Sequence, residues 1–133
     1  MKTAVIYWSG TGNTEQMAQA AAEAAGAELF SVSDFSGDVA DYEAVLLGCP
    51  AMGAEELEES EFEPFFAANE SKLSGKKVGL FGSYGWGDGE WMRNWADRVK
   101  AAGGVLVNDG VMANGEPSDD DLANCKALGE AVK

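Results

Sequence analysis

Apolar and polar positions along the chain fall into two alternating kinds of segment. Short, nearly continuous apolar runs occupy Ala4–Trp8, Ala44–Gly48, Val78–Gly82 and Val105–Val107. Runs of this length without a polar face are expected of strands buried on both sides of a parallel sheet. A further segment, Ala27–Val32, alternates apolar and polar residues and suits an edge strand. Between the runs the spacing becomes helical. Met17, Ala18, Ala21, Ala22 and Ala25 share a face after the first run, and Phe62, Phe65 and Phe66 do so after Ala44–Gly48. Met92, Trp95, Val99 and Ala102 follow Val78–Gly82, and Leu122, Cys125, Leu128 and Val132 close the chain. Ser118 followed by Asp119-Asp120-Asp121 reads as the cap and acidic first turn of that last helix, with no metal needed to explain the triplet. No repeat or linker interrupts the pattern. It predicts one α/β domain over residues 1–133, a parallel sheet between two helical layers.

In such a sheet a ligand binds outside the carboxyl ends of the strands. Three loops meet there. Ser9-Gly10-Thr11-Gly12-Asn13-Thr14 opens a helix, where free backbone N–H groups and the helix dipole favour an anion. It is no Walker loop, because Glu15 stands five places after Gly10 and no Lys follows. The same Glu15 occupies the third glycine position of a dinucleotide fingerprint, where a long carboxylate would block close helix–strand packing. The second loop is Cys49-Pro50-Ala51-Met52-Gly53-Ala54-Glu55-Glu56, and the third is Ser83-Tyr84-Gly85-Trp86-Gly87-Asp88-Gly89. A Trp among glycines at a ligand edge is costly unless it covers something flat. A planar ring ending in one phosphate would fit all three loops.

Charge and composition narrow the chemistry. The chain has 133 residues and a net charge of −14, and between residues 3 and 71 it carries fourteen Asp and Glu but no Lys or Arg. A phosphate bound by the first loop would thus be held by neutral donors, which points to a permanently held ester rather than a triphosphate being cleaved. Nucleic acid and anionic membranes are poor partners for such a surface, whereas proteins with basic docking patches are good ones. Histidine is absent, so Ser-His-Asp and Cys-His catalysis are excluded and a cofactor is the expected source of any reaction chemistry. Cys49 and Cys125 form no C-x-x-C pair and read as small buried hydrophobes. Met1-Lys2-Thr3 leads straight into a strand and no apolar run approaches the ~20 residues of a membrane helix, so a cytoplasmic location is expected.

Tyr7–Glu15, Leu47–Gly53 and Gly82–Gly89 together resemble a flavodoxin of the short-chain clostridial type, and the likeness runs the length of the chain. The resemblance implies a five-stranded parallel sheet in the order 2-1-3-4-5, with a last strand free of the long insertion of long-chain members. It implies one FMN, held non-covalently, and a low-potential one-electron carrier working through a stabilised neutral semiquinone rather than an enzyme. It assigns the phosphate to Ser9, Thr11, Asn13, Thr14 and the N–H groups of the loop that includes Gly10 and Gly12. Met52, in the segment Pro50-Ala51-Met52, and Trp86 would flank the ring system, with Trp86 on the outer face. Gly53 would offer its carbonyl to the flavin N5–H, Glu55 would face the N3–H, and Ser83, Tyr84, Gly85, Trp86 and Gly87 would line the ribityl chain and pyrimidine end. Redox proteins with basic docking surfaces would be the partners of a monomer.

Two departures stand out. Gly26–Asp41 is shorter than in many relatives, and Ala54 stands where relatives often carry Asp or Ser. A phosphoacceptor receiver shares the topology but needs an Asp and a Lys where Gly48-Cys49-Pro50 and Asn108-Asp109-Gly110 stand. An FMN-dependent NAD(P)H oxidoreductase or a non-redox FMN-binding regulatory module are the alternatives.

Overall fold

The computed structural model describes residues 2–133. Parallel strands β1 (Thr3–Tyr7), β2 (Glu28–Ser31), β3 (Ala44–Gly48), β4 (Lys77–Tyr84), β5 (Val105–Leu106) and β6 (Val111–Asn114) form one sheet. Its order is β2-β1-β3-β4-β5, with β6 also paired to β4. The expected order therefore holds, but the fifth position is filled in two pieces. β5 pairs with Lys77 and Val78, and β6 with Phe81 to Tyr84. The break between them is a short turn in which the Asn108 side chain accepts the Gly110 N–H at 3.0 Å. Val107 leaves the strand here, and Val111–Asn114, outside the expected fifth strand, joins it.

Alternation along the strands sorts the core into two layers. Ala4, Ile6, Val45, Leu47, Val78 and Leu80 face the cluster containing Phe62, Phe66, Trp91, Trp95 and Val99. Those residues belong to α2 (Phe62–Asn69) and α3 (Glu90–Ala101). Val5, Leu46, Phe81, Val111 and Ala113 face the other cluster, built from Met17, Ala18 and Ala21 on α1 (Asn13–Ala25) and Cys125, Leu128 and Val132 on α4 (Asp119–Ala131). Both cysteines are free and buried. Arg98 ties α3 to α2 through Glu63 at 2.6 Å, and reaches Glu70 at 2.9 Å. The Asp119-Asp120-Asp121 triplet is helix-start chemistry: Ser118 and Asp121 form a reciprocal capping box. No metal-holding cluster occurs among the described residues.

Candidate cofactor site

The carboxyl ends of β1, β3, β4 and β6 surround a cleft of about 260 Å³. Trp8, Gly10, Thr11 and Asn13 line it from the first loop, Pro50, Ala51 and Met52 from the second, and Ser83, Tyr84 and Gly85 from the third. Gly115, just after β6, supplies a fourth wall. Eight expected residues, Ser9, Gly12, Thr14, Gly53, Ala54, Glu55, Trp86 and Gly87, stand outside this lining.

Their positions show what each does in the fold. Ser9 Oγ accepts the N–H of Gly12 at 3.1 Å and of Glu15 at 3.3 Å, closing the loop on itself. Gly12 sits at φ 92°, a conformation cheap only for glycine, and contributes no side-chain cap to α1. The N–H groups of Thr11, Asn13 and Thr14 find no acceptor among the described residues. Those of Asn13 and Thr14 are first-turn donors of α1, the kind of group that favours an anion, and that of Thr11 lies just ahead of the helix. The Thr14 side chain turns inward instead. It is 1% exposed, its hydroxyl lies 3.2 Å from Ser83 Oγ, and it accepts the Ser83 N–H at 3.3 Å. Tyr7 donates to Glu15 at 3.0 Å, and burial followed by that carboxylate pushes the phenol above its ordinary value.

The second loop doubles back at Met52, whose N–H and carbonyl both bond to Glu56 at 2.8 Å. The turn needs left-handed backbone at Gly53 (φ 51°) and Glu55 (φ 56°). The Glu55 carboxylate accepts the N–H of Asp88 at 3.0 Å and of Trp91 at 3.1 Å, so it faces the start of α3. Beyond the turn, Glu58 is buried and accepts from the N–H groups of Ser60, Glu61 and Phe62 and from the Ser60 hydroxyl. Burial pushes its carboxyl up, but the Ser60 hydroxyl and the Phe62, Ser60 and Glu61 N–H groups outweigh that and hold it below its ordinary value. Glu58 is thus the cap of α2 and no part of an exposed acidic rim, whereas Glu56 and Glu59 are exposed. Burial takes the Cys49 thiol up to about 12 despite the Glu58 N–H donated to its sulfur, leaving it protonated and unreactive.

Trp86, on the glycine-rich third loop, is 65% exposed and so is no part of the core. Two lining residues lay outside the sequence expectation. Trp8 donates its indole N–H to Glu61 at 3.3 Å and lies so close to Gly10 that a Cβ there would meet its ring at 3.0 Å. An aromatic at the carboxyl end of a strand, two places before a glycine, was the available signal. For Gly115 the signal was the alternation Val111-Met112-Ala113-Asn114 ahead of it.

The family model for flavodoxins matches residues 5–129. The chain belongs to the flavodoxin family. It is 53% identical to the flavodoxin of Megasphaera elsdenii and 46% to that of Clostridium beijerinckii, in each case over 96% of both proteins. The solution structure of two-electron reduced Megasphaera elsdenii flavodoxin superposes with a TM-score of 0.79 at 49% identity, covering 98% of this chain and 97% of that one. An archaeal flavodoxin structure reaches 0.86 at 26% identity, over 99% and 96% of the two chains. The clostridial short-chain type is therefore the right one. Flavodoxins are electron-transfer proteins, not enzymes; they bind FMN and work with redox proteins. The donor set suits this cofactor: the lining joins the neutral polar side chains of Thr11, Asn13 and Ser83 to the aromatic and thioether side chains of Trp8, Tyr84 and Met52. Among the described residues no helix is long and apolar enough to cross a membrane.

Proposed function

We propose that this flavodoxin is a low-potential one-electron carrier: one cytoplasmic domain over residues 1–133, monomeric, holding FMN non-covalently and exchanging electrons with redox proteins through basic surfaces on those partners. Nucleic acid and membranes are not among its partners. The observation that carries the reading is the juxtaposition of a neutral anion cradle with a cleft walled by Trp8, Met52 and Tyr84. Bound FMN supplies stepwise one-electron chemistry. The chain's part is to hold it and bias the steps.

The side chains of Thr11 and Asn13, the Ser9 hydroxyl and the free N–H groups of Thr11, Asn13 and Thr14 hold the phosphate, within a loop shaped by Gly10 and Gly12. Pro50, Ala51 and Met52 take one side of the ring system, Trp86 the outer face, and Ser83, Tyr84, Gly85 and Gly87 the ribityl chain and pyrimidine end. Gly53, with Ala54 beside it, sits in the turn that presents a backbone carbonyl, and Glu55 stands at the ring's edge. Negative charge disfavours a second electron more than a first taken up with a proton. A unit charge ~8 Å away contributes roughly 2 kcal/mol at an effective dielectric of ~20 before salt screening. With a net charge of −14, the second potential is pushed low.

Anaerobic reduction of the FMN-loaded protein, followed by absorbance, tests this. Two resolved one-electron steps are expected, with the intermediate level accumulating between them. A single two-electron step would refute the carrier and favour a binding module. Turnover of NADPH by the protein alone would favour a reductase.

A further inference from the structure

We propose that Glu55 and Trp91 form a latch that fixes the spacing of the two loops on either side of the cleft, with Glu55 capping α3 from outside that helix. The proposal rests on the cofactor site above, gives its Glu55 a positioning role and adds Trp91 as a further positioning residue. Helix α3 begins behind Gly89, which stands at φ 94° and provides no side-chain cap. The cap comes from Glu55, 36 residues before Trp91: Oε2 accepts the Trp91 N–H at 3.1 Å and Oε1 the Asp88 N–H at 3.0 Å. A carboxylate is the group a helix N-terminus favours. Trp91 returns a second bond, its buried indole N–H donating to the Cys49 carbonyl at 3.1 Å. One residue of α3 is thus held at both its N–H groups by the two ends of the Cys49–Glu55 loop.

The neighbours are shaped to permit this. A Cβ on Gly87 would collide with the Glu55 carboxylate, and one on Gly82 with the Cys49 carbonyl that Trp91 uses. Glu55 is the one non-glycine residue at positive φ among those described, a conformation that its two bonds to the far loop help to hold. On the cleft side, the Tyr84 ring packs on Trp91 with centroids 5.6 Å apart. Met52 and Tyr84, which line the cleft from the two loops, therefore keep a fixed separation through Trp91. The latch governs the ring end of the site and leaves the phosphate end alone.

Amide hydrogen exchange on the full chain, with and without FMN, tests it with Glu55→Gln and Trp91→Phe, and Glu56→Gln as the control. Glu55→Gln is expected to speed exchange at the Asp88 and Trp91 amides at least tenfold relative to the Leu46 and Leu80 amides of the sheet. Trp91→Phe should do the same for Ala51 and Met52, and Glu56→Gln should do neither. A rise shared equally by Leu46 and Leu80, or none at all, overturns the latch. Trp91→Phe should also weaken FMN and riboflavin by the same factor, at least fivefold; loss confined to FMN, or no loss, overturns positioning of the ring end. The two readings fail separately. If Thr11→Ala does not discriminate FMN from riboflavin while the exchange pattern holds, the phosphate assignment falls and the latch stands.

Discussion

Glu58 offers a sharp test of how the cleft is supported, because a carboxylate in a run of acids has become a helix cap. It accepts the Ser60, Glu61 and Phe62 N–H groups at 2.9, 2.8 and 2.9 Å, together with the Ser60 hydroxyl, while only 5% exposed. Glu58→Gln keeps its shape and one acceptor oxygen but turns an amide NH2 toward donors. Hydrogen bonds to a charged group contribute about 1.5–3 kcal/mol each, and a buried donor left unpaired costs a similar amount. A net loss of about 2–4 kcal/mol follows, which at roughly 4 °C per kcal/mol for a chain of this size lowers Tm by about 8–16 °C. The pH dependence has a definite sign. The folded carboxyl lies below its ordinary value of 4.5, so its stabilisation is complete above that value and is lost as pH falls through the folded value. Thermal unfolding of both proteins without FMN, which removes ligand linkage, should show the gap at pH 7 and its closure toward pH 3. Equal Tm at pH 7, or a gap that survives unchanged at pH 3, would refute the cap.

Three further outcomes are expected. Thr11→Ala or Asn13→Ala should weaken FMN by about 1–3 kcal/mol and riboflavin far less, measured by fluorescence titration; equal losses would remove the phosphate from this loop. At Gly53 (φ 51°) a Cβ meets nothing within 4 Å, so substitution there acts through the backbone alone. FMN affinity and the gap between the two one-electron potentials should fall in the order Gly53→Asn, Gly53→Ala, Gly53→Val, with ~1 kcal/mol for Ala; a flat or reversed series counts against the turn. Glu56→Gln with Glu59→Gln, both exposed, should raise the second potential by roughly tens of mV at low salt while barely moving the first, and should slow reaction with a basic partner; equal shifts of both potentials would mean a merely solubilising surface.

The sheet was legible because burial on both faces leaves one kind of residue: Ala4 to Ile6 and Ala44 to Leu47 admit nothing polar. The fifth position was harder. Asn108-Asp109-Gly110 carries every mark of a chain leaving the sheet, yet β4 is long enough for a second segment to pair beyond the turn. Val111 and Ala113 pack inward while Met112 and Asn114 stay exposed, the two-residue period of a half-buried edge that four residues barely reveal. The departure at Ala54 changes little inside the fold, since that residue is exposed at the tip of a turn closed by Met52 and Glu56.

The loops were legible in place but not in allocation, and the reason is physical. A hydroxyl or carboxylate near a ligand edge reads as ligand-facing, but a turn rich in glycine leaves many backbone donors that must be met somewhere. Ser9, Thr14, Glu55 and Glu58 meet them: two N–H groups on Ser9, one on Thr14, two on Glu55, three plus a hydroxyl on Glu58. By satisfying those donors they hold the loops still, and the N–H groups of Thr11, Asn13 and Thr14 are left over at one helix start. A neutral cradle made from backbone cannot swing away as a lysine can. It suits a phosphate that is bound once and kept, and in a chain with no cation from residue 3 to residue 71 it adds no positive charge that would ease the second electron.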